Sequence, residues 1–129
     1  MMNINFAQEW NEKKRDYTGL PHQASGTVKC IRCTKEVSQA GNPMYVWLWR
    51  VKTGAYQGQE IKEFTALTPK ALWKLKQILE AIYATKVAGP FDFDDEDILG
   101  MSCRADMRIS VYEGQERIEI VKYQSIESN

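Results

Sequence analysis

Residues 101–112 constrain the fold most strongly, because their side chains alternate between apolar and polar or aromatic types. A period of two residues is typical of a β-strand with one face in the core and the other in water. The turn residues Glu113 and Gly114 follow, and they predict a hairpin to a last strand at residues 115–123. The chain is therefore expected to build a sheet with a buried face. Its apolar positions here are Met101, Cys103, Ala105, Met107, Ile109 and Val111.

Three further strands are predicted upstream, at residues 27–33, 44–51 and 59–67. The intervening turns at 38–43 and 53–58 are rich in residue types that accept tight or positive-φ geometry. The third of these strands has an irregular pattern, so we expect a bulge or a bend in it.

A single helix is predicted between the third and fourth strands. Thr68 is a residue type that caps a helix N-terminus, and Pro69 suits the first helical position. An apolar stripe at helical spacing follows and consists of Leu72, Leu75, Leu79 and Ile82. This element order predicts a mainly β fold, a five-stranded OB-like barrel with one α-helix between strands 3 and 4. An open sheet packed on the helix and a small sandwich remain alternatives.

The length of 129 residues fits one domain. We predict a lead-in segment at residues 1–25, a domain at 26–124 and a frayed tail at 125–129. The lead-in is expected to pack on the domain through Phe6, Trp10 and Tyr17. No apolar run approaches the roughly 20 residues that span a bilayer, and no secretion signal is recognisable, so we expect a cytoplasmic protein without membrane attachment.

Two cysteines, Cys30 and Cys33, form a CxxC pair that could bind zinc together with His22 and Cys103. Positions three apart on a strand point to opposite faces, so we predict no metal there. The acidic run at residues 92–97 lacks the spacing of a calcium loop, and we expect a solvated connector or a short helix there instead of a cation site. With one histidine in the chain and no base beside a nucleophile, we expect no cofactor and no enzymatic activity.

The predicted second strand has two apolar faces of different kinds. One carries Tyr45, Trp47 and Trp49, and the other carries Met44, Val46 and Leu48. Aromatic rings about 7 Å apart along a strand can stack bases, but such rings also commonly form a core. Spacing alone does not decide between the two. Aliphatic side chains are the natural filling of a narrow barrel, which favours an exposed aromatic platform, although we expect at least one tryptophan to be partly buried.

Charge is unevenly distributed, although the net charge is zero. Residues 29–88 carry ten Lys and Arg against four Asp and Glu, whereas residues 89–129 carry four against ten. This asymmetry predicts one positive face of the kind that a phosphate backbone requires. The basic residues predicted to hold phosphates beside the aromatic platform are Lys29, Lys35, Arg50, Lys52 and Lys62.

Five short motifs resemble a family of small phage proteins from replication and recombination modules. They are residues 41–44 (GNPM), 54–58 (GAYQG), 67–80 (LTPKALWKLKQILE), 91–94 (FDFD) and 97–100 (DILG). The likeness covers residues 19–124, and LTPKALWKLKQ is its most specific part. Members of this family look like OB-fold single-stranded-DNA-binding proteins.

The resemblance implies a viral protein that protects single-stranded DNA during phage replication or recombination in an infected bacterium, without sequence preference. It implies a contact surface on the outer face of strands 2 and 3 and on the turns at 38–43 and 112–115, which adds Asn42, Phe64 and Tyr112 to the predicted site. Trp47 and Trp49 depart from the family, whose members often have aliphatic residues there.

The expected partners are single-stranded DNA and phage replication or recombination proteins, and a homodimer is left open. The competing interpretation is a protein-interaction module that docks on a replication or host protein through the same aromatic face. Salt dependence separates the two, because phosphate contacts weaken steeply with salt.

Overall fold

The computed structural model describes residues 17, 19–84, 86 and 95–126, apart from the side chains of Asp95 and Tyr112. A 3₁₀ turn at Pro69–Ala71 precedes the first helix. The strands and helices are β1 (Gln23–Val37), β2 (Pro43–Val51), β3 (Glu60–Ala66), α1 (Leu72–Tyr83), α2 (Asp95–Ile98), β4 (Ser102–Tyr112) and β5 (Gln115–Gln124).

The five strands form one antiparallel sheet in the order β3-β2-β1-β4-β5. The central strand β1 is long enough to pair with β4 through its first half and with β2 through its second half. This arrangement confirms the predicted mainly β fold, an OB-like barrel with helix α1 between β3 and β4. The sheet therefore has two edge strands, β3 and β5.

The barrel is not closed by a backbone ladder between β3 and β5, but a buried side chain bridges them. The carboxylate of Glu63 on β3 accepts a hydrogen bond of 3.1 Å from the backbone N–H of Ile120 on β5. It also accepts one of 3.1 Å from Nζ of Lys74 on α1. Helix α1 contacts both edge strands, so it covers the opening of the sheet.

Two glycines allow the turn between β2 and β3 to pack directly on β1. A Cβ atom on Gly26 would lie 2.1 Å from the carbonyl oxygen of Thr53. One on Gly54, whose φ is +98°, would lie 2.5 Å from the carbonyl oxygen of Ser25. Any side chain at either position would therefore push the turn away from the strand.

The irregularities of the sheet differ from the prediction for the third strand. β3 pairs with β2 in unbroken register, so the prediction of a bulge in β3 is wrong. The register instead shifts in β1, between Cys30 and Arg32, and in the β4–β5 ladder next to Asp106. A bulge bends its strand, and the one in β1 lies where that strand passes from β4 to β2.

Helix α1 follows its predicted stripe with two differences at the N-terminus. Thr68 makes no side-chain capping bond, and Pro69 begins the 3₁₀ turn, so the α-helix starts at Leu72. Leu72 itself is exposed rather than packed in the core. The buried residues of α1 are Leu75, Ile78, Leu79, Ala81 and Ile82. Among the described residues, no helix is long and apolar enough to cross a bilayer.

Residues 1–16 and 18 of the predicted lead-in, and with them Phe6 and Trp10, lie outside the residues that the structure describes. Tyr17 is buried in the core, as predicted. The first strand already begins at Gln23, four positions before the predicted start. The boundary at residue 25 therefore falls inside β1.

Candidate nucleic-acid interface

Trp47 and Trp49 lie in the core, and each is 0% exposed. Their rings are stacked, with centroids 5.4 Å apart and planes 7° from parallel. Nε1 of Trp47 donates a hydrogen bond of 2.9 Å to Oγ1 of Thr65, and the ring of Trp49 lies 5.6 Å from that of Tyr123. The prediction that these two rings form an exposed platform is therefore wrong, and the same face cannot serve as a protein-docking patch.

The neighbouring strands explain why the rings point inward. β2 alternates as predicted, but its two faces are exchanged, because β1 and β4 supply small residues to the interior. Each aromatic side chain buries about 150–250 Å² of surface. The two indoles of β2 therefore occupy the space that the small residues of β1 and β4 leave in the interior. The small buried residues on β1 and β4 are Gly26, Cys30, Cys33, Cys103 and Ala105.

The third aromatic residue of the predicted platform, Tyr45, is half-buried on the same inward face. Its ring centroid lies 6.1 Å from that of Trp47. Lys35 stands opposite Tyr45 in the β1–β2 register, and directly opposed residues share a face of the sheet. Tyr45 and Lys35 therefore lie apart from the outer side of β1, β2 and β3.

The outer side of these three strands carries a mixed surface, which we call the outer sheet face. Leu48 stands opposite Arg32 on β1 and opposite Lys62 on β3. One step along the sheet, Val46 stands between Thr34 and Phe64 in the same way. The outer sheet face comprises Lys29, Arg32, Thr34, Glu36, Met44, Val46, Leu48, Arg50, Glu60, Lys62, Phe64 and Ala66.

Phe64 is the exposed ring of this face, with 45% of its surface accessible. Nζ of Lys62 lies 5.7 Å from the centroid of the ring, within the range of a cation–π contact. Within the described part of the chain, Lys62 and Arg32 take no part in a salt bridge. An open aromatic ring thus has Lys62 against it, and Arg32 lies two strands away on the same face.

Arg50, Lys29 and Lys52 extend the positive charge along the strands. Arg50 stands opposite Lys29 in register and forms a salt bridge of 2.7 Å with Glu60. Lys52 is exposed just beyond β2, where its backbone N–H donates to the carbonyl of Thr27 at 2.8 Å. The structure therefore brings together four of the predicted site residues, Lys29, Arg50, Lys62 and Phe64, with Lys52 at the border.

The two predicted turn residues lie further out. Asn42 is exposed in the β1–β2 turn, where its backbone N–H donates to Oγ of Ser38 at 3.2 Å. Tyr112 ends β4, and its side chain lies outside the described residues.

Arg32 is a member of the outer sheet face that the sequence interpretation missed. In an unbroken strand it would share the inward face of Cys30, two positions earlier. The bulge between the two residues turns Arg32 outward. Its exposed side chain then stands beside Leu48, which separates it from Lys62 on β3.

The same bulge corrects the interpretation of the CxxC pair, because both Cys30 and Cys33 are buried rather than on opposite faces. Burial raises the pKa of the Cys30 thiol to about 11. It raises the pKa of Cys103, which also lies near Cys30, to about 12. The described residues include no cluster of three or more His, Cys, Asp or Glu that could hold a metal ion.

The outer sheet face therefore combines one open ring, an aliphatic centre and four cations with two carboxylates, Glu36 and Glu60. Its exposed ring and its cations suit a flexible polyanion with flat apolar groups. Comparison of the chain with models of known protein families and with curated proteins found no match.

Proposed function

We propose that this protein binds single-stranded DNA without sequence preference, through the outer sheet face rather than through the predicted tryptophan platform. The observation that carries the proposal is the exposed Phe64 ring with Lys62 against it and Arg32 across the sheet. A base can stack on an open ring whatever its sequence, and cations beside the ring can hold the phosphates.

The geometry of the sheet supports this assignment. Neighbouring strands are about 4.8 Å apart, and alternate residues along a strand about 7 Å apart, which is the scale of successive nucleotides. Arg32 and Lys62 are one strand away from Leu48 on either side. A base stacked on Phe64 or Leu48 would therefore have a cation within reach of its phosphate.

Arg50 contributes by exchanging partners. Its salt bridge with Glu60 is partly exposed on both sides, and exposed ion pairs of this kind contribute about 0–1 kcal/mol. A phosphate can replace the carboxylate at little cost. Lys29, opposite Arg50, would strengthen the same contact.

The resemblance to phage proteins adds the setting of the proposed function. A sequence-tolerant binder of this kind would protect single-stranded intermediates of phage replication or recombination, without a catalytic step. The competing proposal, docking on a replication or host protein, loses the surface assigned to it because Trp47 and Trp49 are buried.

The test is a titration of fluorescein-labelled oligo-dT read by anisotropy, repeated across a series of salt concentrations. Phe64→Ala removes the ring on which a base would stack, so it is expected to weaken binding about 5- to 150-fold, the equivalent of about 1–3 kcal/mol. If all four cations, Lys29, Arg32, Arg50 and Lys62, contact phosphates, affinity should fall about 50-fold between 50 and 200 mM salt.

Matched controls lie on β5. Lys122 is exposed there, so Lys122→Glu repeats the charge change of Lys62→Glu away from the outer sheet face, and Val121→Ala repeats the loss of an exposed apolar side chain. We expect Lys62→Glu and Phe64→Ala to bind oligo-dT more weakly than wild type. The two β5 variants should bind it about as well as wild type. Equal affinities for all four variants would contradict the proposal.

A further inference from the structure

Helix α1 exposes two large apolar side chains in its first turn. Trp73 is 64% exposed and Leu72 is 43% exposed. Successive residues of an α-helix are about 100° apart, which places Trp73 on the side of α1 opposite to Leu75, Ile78 and Leu79. Those three residues pack in the core. The indole of Trp73 is therefore turned away from the domain that its neighbours stabilise.

Positive charge flanks this indole. Lys76 is exposed three positions after Trp73 on α1, the spacing at which side chains adjoin along an α-helix. Lys70 is exposed three positions before Trp73, in the 3₁₀ turn that leads into α1. Glu80, two turns after Trp73, is half-buried and already engaged in a contact. The surface formed by Lys70, Leu72, Trp73 and Lys76, the Trp73 patch, is thus apolar at its centre and basic at its rim.

The Trp73 patch is also held in place. Nζ of Lys74 donates to Glu63 at 3.1 Å and to the backbone carbonyl of Phe64 at 3.2 Å, which fastens the first turn of α1 to β3. A rigid tryptophan loses little conformational entropy on binding, and tryptophan is among the residues that dominate protein interfaces.

We propose that the Trp73 patch docks an acidic peptide segment of a partner protein, with a large apolar side chain of that segment seated on Trp73 and Leu72. Charge complementarity defines the partner, because Lys70 and Lys76 favour carboxylates around the apolar contact. Trp73 lies on the far side of α1 from the barrel, Leu72 is exposed beside it at the start of the helix, and none of the four patch residues belongs to the outer sheet face. The proposal therefore does not rest on DNA binding.

The experiment uses the full chain and a fluorescent synthetic peptide that carries adjacent Leu and Phe residues between runs of Asp and Glu. Two control peptides have Ser in place of Leu and Phe, or Lys in place of the acidic residues. We expect binding of the first peptide only, and at least about tenfold weaker binding by Trp73→Ala. The double variant Lys70→Glu/Lys76→Glu should also lose binding.

Further variants separate this patch from the outer sheet face. Phe64→Ala should keep peptide affinity, and Trp73→Ala should keep oligo-dT affinity, with unchanged circular dichroism showing that both fold. Loss of oligo-dT binding in Trp73→Ala would overturn the proposal and extend the DNA path onto α1. Concentration-dependent dimerisation abolished by Trp73→Ala, without peptide binding, would also overturn it and make a second copy of the chain the occupant. Equal binding of all three peptides would do the same.

Discussion

Replacing Trp47 by Ala is expected to destabilise the protein strongly rather than to remove a DNA contact. Truncating a fully buried tryptophan typically costs about 3–5 kcal/mol. The same change removes the hydrogen bond of 2.9 Å to Thr65, and a buried hydroxyl without its partner costs about 1 kcal/mol more. Small domains are stable by about 5–15 kcal/mol, so one substitution consumes a large share of the total.

Urea denaturation followed by far-UV circular dichroism measures this change. With a slope of about 1–3 kcal/mol per molar urea, the midpoint should fall by roughly 2 M. Trp73→Ala is the matched control, because the same side chain is removed from an exposed position. Its free energy of unfolding should stay within about 0.5 kcal/mol of wild type.

The opposite pattern would refute the reasoning. If Trp47→Ala kept the urea midpoint of wild type and lost affinity for oligo-dT, the indole would be a surface stacking residue. The aliphatic face of β2 would then have to fill the part of the core in which the Trp47 indole lies.

Three further predictions concern the frame that presents the outer sheet face. Gly26→Ala should lower the free energy of unfolding by at least about 2 kcal/mol in thermal or urea melts, because its Cβ would lie 2.1 Å from the Thr53 carbonyl; a neutral effect would show that the turn can move. Glu63→Ala should lower the free energy of unfolding by about 1–3 kcal/mol, because the buried N–H of Ile120 loses its acceptor and Lys74 keeps only the Phe64 carbonyl. Hydrogen exchange at Ile120 should rise, and unchanged exchange there would argue against the bridge. The pKa of the Cys30 thiol is raised from 9.0 to about 11 and that of Cys103 from 9.0 to about 12. Because these thiols ionise at lower pH in the unfolded chain, their contribution to stability is retained below pH 9 and lost as the pH rises from 9 towards 12. A flat stability profile between about pH 8 and pH 11, compared with that of the double serine variant, would contradict this.

Local patterns were sufficient to predict the elements of the fold. The alternation along β4, the turn at Glu113 and Gly114, and the leucine spacing of α1 each depend on residues close in sequence. Their order then indicated the OB-like barrel, which the strand pairing confirms. The start of α1 and both ends of β1 moved by a few positions, because the 3₁₀ turn at Pro69 decides where α1 begins and pairing with β4 and β2 extends β1.

The orientation of β2 could not be read from β2 itself. Both of its faces are apolar, so the choice depends on the volume that other strands leave empty. Cys30, Cys103 and Ala105 leave room for two indoles, and this small-residue signal lies in segments far apart in sequence. If the large residues of β2 had been compared with the small residues of its predicted neighbouring strands, the comparison would have indicated that the tryptophan face of β2 points inward.

The position of Arg32 depends on a bulge that leaves no clear mark in the sequence. One extra residue in β1 reverses the face of every later position in that strand. Arg32 consequently joins Lys62 and Phe64, while Lys35 moves to the side of Tyr45. Of the predicted cations, Lys29, Arg50 and Lys62 therefore share the outer sheet face, whereas Lys35 lies on the other side of the sheet and Arg32 was not among those predicted.

The central claim is that the outer sheet face contacts the DNA while the tryptophan row stays buried. Backbone amide NMR during titration with oligo-dT tests it most directly. We predict that the largest chemical-shift changes occur at Arg32, Leu48, Lys62 and Phe64, and that the indole N–H signals of Trp47 and Trp49 move little. Large shifts of those two indole signals, with the amides of the outer sheet face unchanged, would contradict the account.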